Sequence, residues 1–94
     1  MIDIDTDRFY EEMDLEFLTA PIGDFTKEEV STILNNINLD RIDILIDLFG
    51  VREAFLRSLP SNLQDKCKQV KAQEAYEFIF RAEIISRIRK SQNK

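Results

Sequence analysis

Four aspartates near the start of the sequence have the spacing of the ligands in a calcium-binding loop. Asp3, Asp5, Asp7 and Asp14 match positions 1, 3, 5 and 12 of the EF-hand pattern, whose oxygen ligands bind Ca²⁺. Arg8, however, stands where that loop needs glycine for its turn, and an aspartate replaces the usual terminal glutamate. We therefore expect no bound metal, and nothing else in the sequence indicates a cofactor.

Residue types needed for the common catalytic sites are missing from the sequence. It contains no His, so neither a Ser-His-Asp nor a Cys-His arrangement can form, and a zinc site would lack most of its usual ligands. The two glycines, Gly23 and Gly50, lie too far apart to form a phosphate-binding loop. Paired carboxylates need a cleft that a small helical chain rarely forms. We expect that the protein is not an enzyme.

The single cysteine, Cys67, has two possible roles. Its neighbours Lys66 and Lys68 would favour a reactive thiolate. It also lies on the same helical line as Leu63 and Val70, which favours a packed thiol, and we prefer this interpretation. One cysteine cannot form an internal disulfide, and the sequence shows neither a signal peptide nor a membrane-spanning run. We expect a cytoplasmic protein that does not enter a membrane.

Charge is distributed unevenly along the chain. The net charge is -5, but residues 1–30 carry ten acidic and two basic side chains, whereas residues 61–94 carry four acidic and eight basic ones. Such polarity can orient a charged partner, align copies of the chain head to tail, or let the ends of one domain attract each other. Hydrophobic residues make up 44% of the sequence, which predicts one folded domain over residues 1–94.

The first third of the chain reads as an arm followed by a helix. Ile and Asp alternate over residues 1–5, but no second strand follows for them to pair with, so we interpret them as an extended arm. Apolar residues at helical spacing predict a first helix over residues 6–18. The sequence Pro21-Ile22-Gly23 should end it.

The middle of the chain contains several helix start and stop signals. Thr26 and Glu29 have the spacing of a capping box at the start of a second helix, which Asn38 is expected to end. Asp40 is predicted to cap a third helix that ends at Gly50, with a short fourth helix after it. The alternative is a single kinked helix with Gly50 inside it.

The last third of the chain lacks any helix-breaking residue. Ser61 and Gln64 form a second predicted capping box, and neither Pro nor Gly follows. These features predict one unbroken helix over residues 62–90, about 43 Å long at 1.5 Å per residue. The fold class predicted from the whole pattern is all-α, a small bundle of four or five helices with a long C-terminal helix.

This C-terminal helix carries two apolar faces. The first, which we expect to pack internally, comprises Ala75, Phe78, Ile79, Ala82 and Ile85. The second, here called the outer row, repeats every four residues and comprises Tyr76, Phe80, Ile84 and Ile88. Either the helix is the central element of the bundle, or the outer row contacts a second copy of the chain or another protein.

One segment resembles part of a known family. Residues 24–37, DFTKEEVSTILNNI, are similar to the start of a helix in the small acidic immunity proteins that neutralise nuclease colicins. The paired tyrosines by which that family binds its nuclease do not occur here. The resemblance therefore transfers no functional residue and assigns the chain to no family.

By elimination, we expect a non-catalytic protein–protein interaction module, such as a small phage or bacterial inhibitor or adaptor of another protein, for instance a nucleic-acid enzyme. An acidic surface would meet a basic partner; it comprises Asp3, Asp5, Asp7, Glu11, Glu12, Asp14 and Glu16. One alternative is a dimeric helical regulator that binds nucleic acid through a basic tail, Arg87, Arg89 and Lys90, although the acidic net charge disfavours it. A second alternative is an assembly chaperone or structural subunit.

Overall fold

The computed structural model describes residues 15–92. This part of the chain is all-α and contains no strand. Its elements are α1 Leu15–Leu18, α2 Lys27–Asn36, a 3-10 helix Leu39–Arg41, α3 Ile42–Phe49, α4 Val51–Arg57, α5 Ser61–Cys67 and α6 Ala72–Gln92. The predicted all-α fold with a long C-terminal helix is confirmed. The predicted arm over residues 1–5 and most of the predicted first helix lie outside the described residues.

A tight turn separates α1 from α2. Ile22 and Phe25 exchange two backbone hydrogen bonds, with N···O distances of 3.3 and 2.8 Å. Gly23, inside the turn, has a φ of 54°, a conformation that residues with a Cβ rarely adopt. Ile22 is buried and Phe25 packs against the core. The predicted helix break at this segment is therefore confirmed, and it brings two apolar side chains inward.

The predicted capping box at the start of α2 is present. The Glu29 backbone N–H donates to the Thr26 hydroxyl oxygen at 3.2 Å, and the Thr26 backbone N–H donates to Glu29 Oε1 at 2.9 Å. Both N–H groups lack a partner within the helix, so the two bonds stabilise its first turn. The bond from Thr26 N–H holds the pKa of the Glu29 carboxyl below its usual value, and Lys66, 3.6 Å away, acts in the same direction.

Gly50 separates α3 from α4, as predicted. Its φ is 87°, and its N–H donates to the Ile46 carbonyl oxygen at 2.9 Å. The start of α3 differs from the prediction, because Asp40 does not cap it. Instead, the side chain of Asn38 accepts a hydrogen bond from Asp40 N–H at 3.2 Å and caps the 3-10 helix that leads into α3. Asn38 therefore starts an element, whereas α2 already ends at Asn36.

The prediction of one helix over residues 62–90 is wrong, because the chain breaks between α5 and α6. Arg52 of α4 binds the break: its Nε donates to the Val70 carbonyl oxygen at 2.7 Å, and its Nη2 donates to the carbonyl oxygen of Lys68. In a continuous helix these carbonyl oxygens would instead accept hydrogen bonds from backbone N–H groups four residues later. The break also lets Cys67 and Val70 both turn into the core. As a result, α6 has 21 residues and a length of about 32 Å.

The second predicted capping box is also wrong. Pro60, and not Ser61, occupies the N-cap of α5, and no side chain caps that helix. The Gln64 side chain instead donates through Nε2 to the Leu59 carbonyl oxygen at 2.8 Å. The amide therefore tethers α5 to the preceding segment, and the Pro60 carbonyl oxygen accepts the first helical hydrogen bonds at 3.0 Å.

α6 packs against α1, α2, the 3-10 helix and α4, whereas α3 packs on α4 and the 3-10 helix. Phe78 lies at the centre of this arrangement and is fully buried. Its ring stacks on Phe55 of α4 at a centroid distance of 5.0 Å and meets the edge of Phe25 at 5.4 Å. The internal face predicted for this helix is confirmed, since all five of its residues are buried.

Arg81 of α6 is buried, with 7% of its surface exposed, and holds the end of α1 in place. Its Nη1 donates to the carbonyl oxygens of Leu18 at 2.9 Å and Ala20 at 2.8 Å, and its Nε donates to Glu77 Oε2 at 2.9 Å. A buried guanidinium needs both a counter-charge and hydrogen-bond acceptors, and it finds them here. Arg81 is therefore not available to follow a nucleic-acid backbone.

We expect Arg52→Ala to lower the free energy of unfolding by about 1–2 kcal/mol, because the carbonyls of Lys68 and Val70 lose a charged donor. Urea unfolding measures this change. The control is Lys68→Ala, at the same break, which removes an exposed ion pair with Asp65 and should change stability by less than about 0.5 kcal/mol. Equal effects of the two substitutions would contradict the role assigned to Arg52.

The capping box predicts a pH-dependent contribution from Glu29. The lowered pKa in the folded state means that the carboxylate stabilises the fold above its unfolded-state pKa. This stability is lost as the pH falls through the folded-state pKa. Wild type should therefore be more stable than Glu29→Gln at pH 7, and thermal unfolding should show the two converging below about pH 4. A difference that is the same at pH 3 and pH 7 would show that the charge does not contribute.

Candidate protein-binding surface

The outer row of α6 is divided by burial. Tyr76 and Phe80 are 60% and 58% exposed, Ile84 is half-buried, and Ile88 is only 8% exposed and belongs to the core. Ile88 faces inward because it lies closer to the Arg81 and Ile85 side of the helix than the other three residues do. The part of the predicted seam that meets solvent is therefore Tyr76 and Phe80, with Ile84 beside them.

Two aromatic rings one turn apart define this surface. Because helical residues four apart lie on the same side, Tyr76 and Phe80 present a continuous apolar strip. Arg87, seven residues after Phe80, lies on the same side and is exposed, and Glu83 between them is half-buried. The strip thus has a basic side chain at its C-terminal end. We call Tyr76, Phe80 and Ile84 with Arg87 the α6 surface.

A second exposed apolar surface lies on α3 and was not predicted from the sequence. Ile44 and Leu48 are 62% and 67% exposed, because the buried side of this helix is formed by Ile42 and Leu45. The signal was present, since two aliphatic residues four apart remain when the inward stripe is removed. For this helix the sequence pattern predicted only an inward-facing stripe, Ile42, Leu45, Ile46 and Phe49.

The acidic surface predicted for a partner is largely outside the described residues. Glu16 is exposed on α1. The other predicted members, Asp3, Asp5, Asp7, Glu11, Glu12 and Asp14, lie outside the described part of the chain, as do the aspartates of the calcium-loop comparison. The acidic partner surface therefore stays a prediction.

The predicted basic tail is only partly free. Arg87 and Lys90 are exposed, whereas Arg89 Nη2 donates to the side-chain oxygen of Asn35 at 2.7 Å and so links α6 to α2. Two of the three basic side chains are therefore available to a ligand.

Cys67 is packed, as the sequence analysis favoured. It is fully buried, and loss of hydration raises the pKa of its thiol to about 11, although Lys66 acts in the opposite direction. Desolvation outweighs the charge because the neutral thiol is the form that a buried apolar site accepts. The thiol is therefore protonated at neutral pH.

Two grooves between the helices are small. One, lined by Glu28, Glu29 and Lys66 among others, has a volume of about 240 Å³, and one beside Asn35 and Arg89 has about 250 Å³. Typical ligand pockets start at about 300 Å³. We assign no substrate site to either groove.

The described part of the chain, residues 15–92, offers neither a cluster of metal ligands nor a membrane-spanning helix. No group of three or more His, Cys, Asp or Glu side chains in that range could hold a metal ion. Nor does any helix there have the length and apolar character that crossing a bilayer requires.

Comparison with known proteins adds no relative. Neither a protein-family model, nor a curated protein, nor a solved structure matches this chain significantly. Only the exposed surfaces therefore indicate a function.

We expect the Cys67 thiol to react at least about 100-fold more slowly with a disulfide reagent in the native protein at pH 8 than in urea. A rise in pKa from 9.0 to about 11 alone lowers the thiolate fraction by about that factor, and burial slows the reaction further. Absorbance of the released thiolate measures both rates. Similar rates in the two conditions would show that the α5 region opens readily.

Proposed function

We propose that the protein is a non-catalytic binding module that recognises another protein molecule through the α6 surface. The observation that carries the proposal is the exposure of Tyr76 and Phe80 on the helix that also forms the core. Single exposed apolar residues are common on proteins, but neighbouring exposed aromatics on a rigid element are typical of binding sites.

The geometry of the α6 surface supports a protein partner in particular. Aromatic side chains contribute most of the binding energy where an interface is fully desolvated, and they lose little conformational entropy on binding. The long α6 holds both rings in a fixed relation, because its opposite side is packed against α2 and α4. Such a module could inhibit, adapt or assemble its partner, as expected from the sequence.

Nucleic-acid binding is the second candidate, and one observation favours it: the exposed Arg87 lies on the same side of α6 as the two aromatic rings. Aromatic stacking next to a basic side chain is typical of proteins that bind single strands. This candidate requires retention of an oligonucleotide at low salt, a steep loss of affinity with salt, and weakening when Arg87 and Lys90 are neutralised.

The test compares the proteins retained from a lysate of the native host by tagged wild type and by Phe80→Asp. We expect the variant to lose the specific partner, with affinity reduced at least about 30-fold, the minimum effect of a central interface residue. Quantitative mass spectrometry of the retained proteins gives the result.

The control is Gln69→Asp, which adds the same charge at an exposed position outside α6. Circular dichroism of all three proteins shows that the fold is retained. If Phe80→Asp retains the same proteins as wild type and shows the same solution mass, the α6 surface is not a binding site.

A further inference from the structure

The break between α5 and α6 interrupts a sequence that favours a continuous helix. Residues 68–71, here called the hinge segment, contain neither Gly nor Pro, and Lys68, Gln69 and Lys71 are good helix formers. These three side chains are exposed, so packing does not force them out of a helical conformation. The fourth residue, Val70, is buried. The local preference of the hinge segment and its observed conformation therefore disagree.

Side-chain contacts from both directions hold the break. Arg52 of α4 donates to the carbonyl oxygens of Lys68 and Val70. The Lys71 backbone N–H donates to Glu74 Oε2 at 3.4 Å, which is a long distance for a hydrogen bond. Arg52 is therefore the stronger of the two contacts, and it connects the break to the rest of the bundle.

A continuous helix through the hinge segment is compatible with the position of α5. In a helix over residues 61–92, about 48 Å long at 1.5 Å per residue, Leu63, Cys67 and Val70 lie on one side because they are four and three residues apart. All three are buried, and α5 packs on α4. With α5 in place on α4, the straight helix carries α6 away from the core of its own chain.

The contacts of α6 can be supplied by a second copy of the chain. α6 packs against elements that all precede the hinge segment: Phe78 stacks on Phe55, and Arg81 binds the carbonyl oxygens of Leu18 and Ala20. Two chains that exchange α6 reproduce each of these contacts between the copies. The same apolar area is then buried as in the monomer, and only the hinge segment changes conformation.

We propose that the hinge segment connects two folded forms of this protein. In the monomer, Arg52 holds the break; in a dimer, two copies exchange α6, and α5 and α6 of each copy form one helix. Exchange of an identical element is a low-cost route to a dimer, because it requires no new interface, and short connections favour it. The inference goes beyond the proposed function, since Tyr76 and Phe80 lie opposite the core contacts of α6 in both forms.

Arg52 favours the monomer over the exchanged dimer. In the continuous helix, the carbonyl oxygens of Lys68 and Val70 accept hydrogen bonds from the backbone N–H groups of Ala72 and Glu74, so Arg52 loses both acceptors. Removal of the Arg52 side chain therefore destabilises the monomer more than the dimer. Hydrogen bonds from a charged donor contribute about tenfold to an equilibrium, and each dimer releases two breaks. Arg52→Ala should thus lower the dissociation constant of the dimer about 100-fold.

A proline at position 72 distinguishes the two forms. The Lys71 carbonyl oxygen accepts the first hydrogen bond of α6, from Ala75 N–H at 2.9 Å, so the exposed Ala72 is the first helical residue, where proline fits well. Inside a continuous helix the same proline removes the bond to Lys68 and its ring clashes with that carbonyl. Ala72→Pro is therefore compatible with the monomer and incompatible with the dimer.

Ser61→Pro is the matched control. Ser61 is exposed and is the first residue of α5, after the N-cap Pro60. It keeps this position at the start of the helix in both forms, so proline there should not change the balance between monomer and dimer.

The experiment unfolds each protein in urea, refolds it over a range of protein concentrations and measures the mass in solution by light scattering. Wild type should refold as a monomer of 11.1 kDa at low concentration and give a species of twice that mass at high concentration. Arg52→Ala should give this dimer at about 100-fold lower concentration. Arg52→Ala combined with Ala72→Pro should stay monomeric throughout, and Arg52→Ala combined with Ser61→Pro should form the dimer as Arg52→Ala does.

The rate at which the dimer separates gives a second readout. Phe78 has to leave the core of the other copy before an exchanged dimer can separate, so the diluted dimer should separate no faster than the protein unfolds under the same conditions. Circular dichroism measures the unfolding rate. A dimer that separates much faster than this has formed through a surface contact, and the inference is then wrong.

The masses can overturn the inference in three further ways. It is wrong if neither wild type nor Arg52→Ala forms a dimer at any concentration. It is also wrong if Ala72→Pro leaves the dimer intact, or if Ser61→Pro abolishes it equally, because the dimer then does not depend on joining α5 to α6. None of these results bears on the proposed function, which is tested by the partner that Phe80→Asp retains.

Two substitutions keep the test decisive if a variant does not refold. Arg52→Lys replaces Arg52→Ala, since a lysine cannot reproduce the two directed bonds of the guanidinium. Ala72→Gly replaces Ala72→Pro, because glycine is unfavourable inside a helix, and it should raise the dissociation constant of the dimer at least about tenfold.

Discussion

The burial of Phe78 between two other aromatic rings is the constraint on which the arrangement of helices depends. Phe55 stacks on it from α4, and Phe25 meets its edge from the turn before α2. Two parts of the chain that are distant in sequence from α6 and from each other are therefore fixed at one point of that helix. Because these contacts cover one side of α6, the opposite side, with Tyr76 and Phe80, receives no cover from the same helices. The α6 surface is thus a consequence of how the core is filled.

Two arginines complete this arrangement by binding backbone carbonyls that the helices leave free. Arg52 binds the break after α5, and Arg81 binds the carbonyl oxygens of Leu18, the last residue of α1, and of Ala20 just after it. Carbonyls at helix C-termini need donors, and a guanidinium supplies several in a fixed geometry. Both arginines thus allow short helices to end inside a small domain without glycine. Their charge is used for structure, which leaves fewer basic side chains for a partner than the sequence suggests.

The structural features that could be predicted from the sequence are those whose interacting atoms lie within a few residues of each other. The Thr26–Glu29 capping box and the Gly50 break depend on atoms three or four positions apart, so the sequence pattern defines them. The break between α5 and α6 could not be found in this way, since Arg52 is 16 and 18 residues from the carbonyls that it binds. For the same reason the sequence does not reveal that Arg81 is buried, because its backbone acceptors are more than 60 residues away.

The two apolar surfaces differ in how far the sequence could predict them. The sequence indicated that the C-terminal helix has two apolar faces, more than a surface helix usually buries. Tyr76 and Phe80 of the second face are indeed exposed. The same pattern grouped Ile88 with them, and this was wrong. A repeat of four residues moves around a helix of 3.6 residues per turn, so its last member, Ile88, faces the core. The exposure of Ile44 and Leu48 was not predicted. It arises because other helices cover only one side of α3, and how the helices are arranged around α3 cannot be read from its own sequence.

The exposed side chains of these two surfaces are not explained by stability. An apolar side chain stabilises a fold in proportion to the area it removes from water, and Ile44, Leu48 and Phe80 remove little of theirs. Polar residues at these positions would serve the helix equally well and would lower the tendency to associate. Folding therefore does not require large apolar residues there, whereas contact with another surface does.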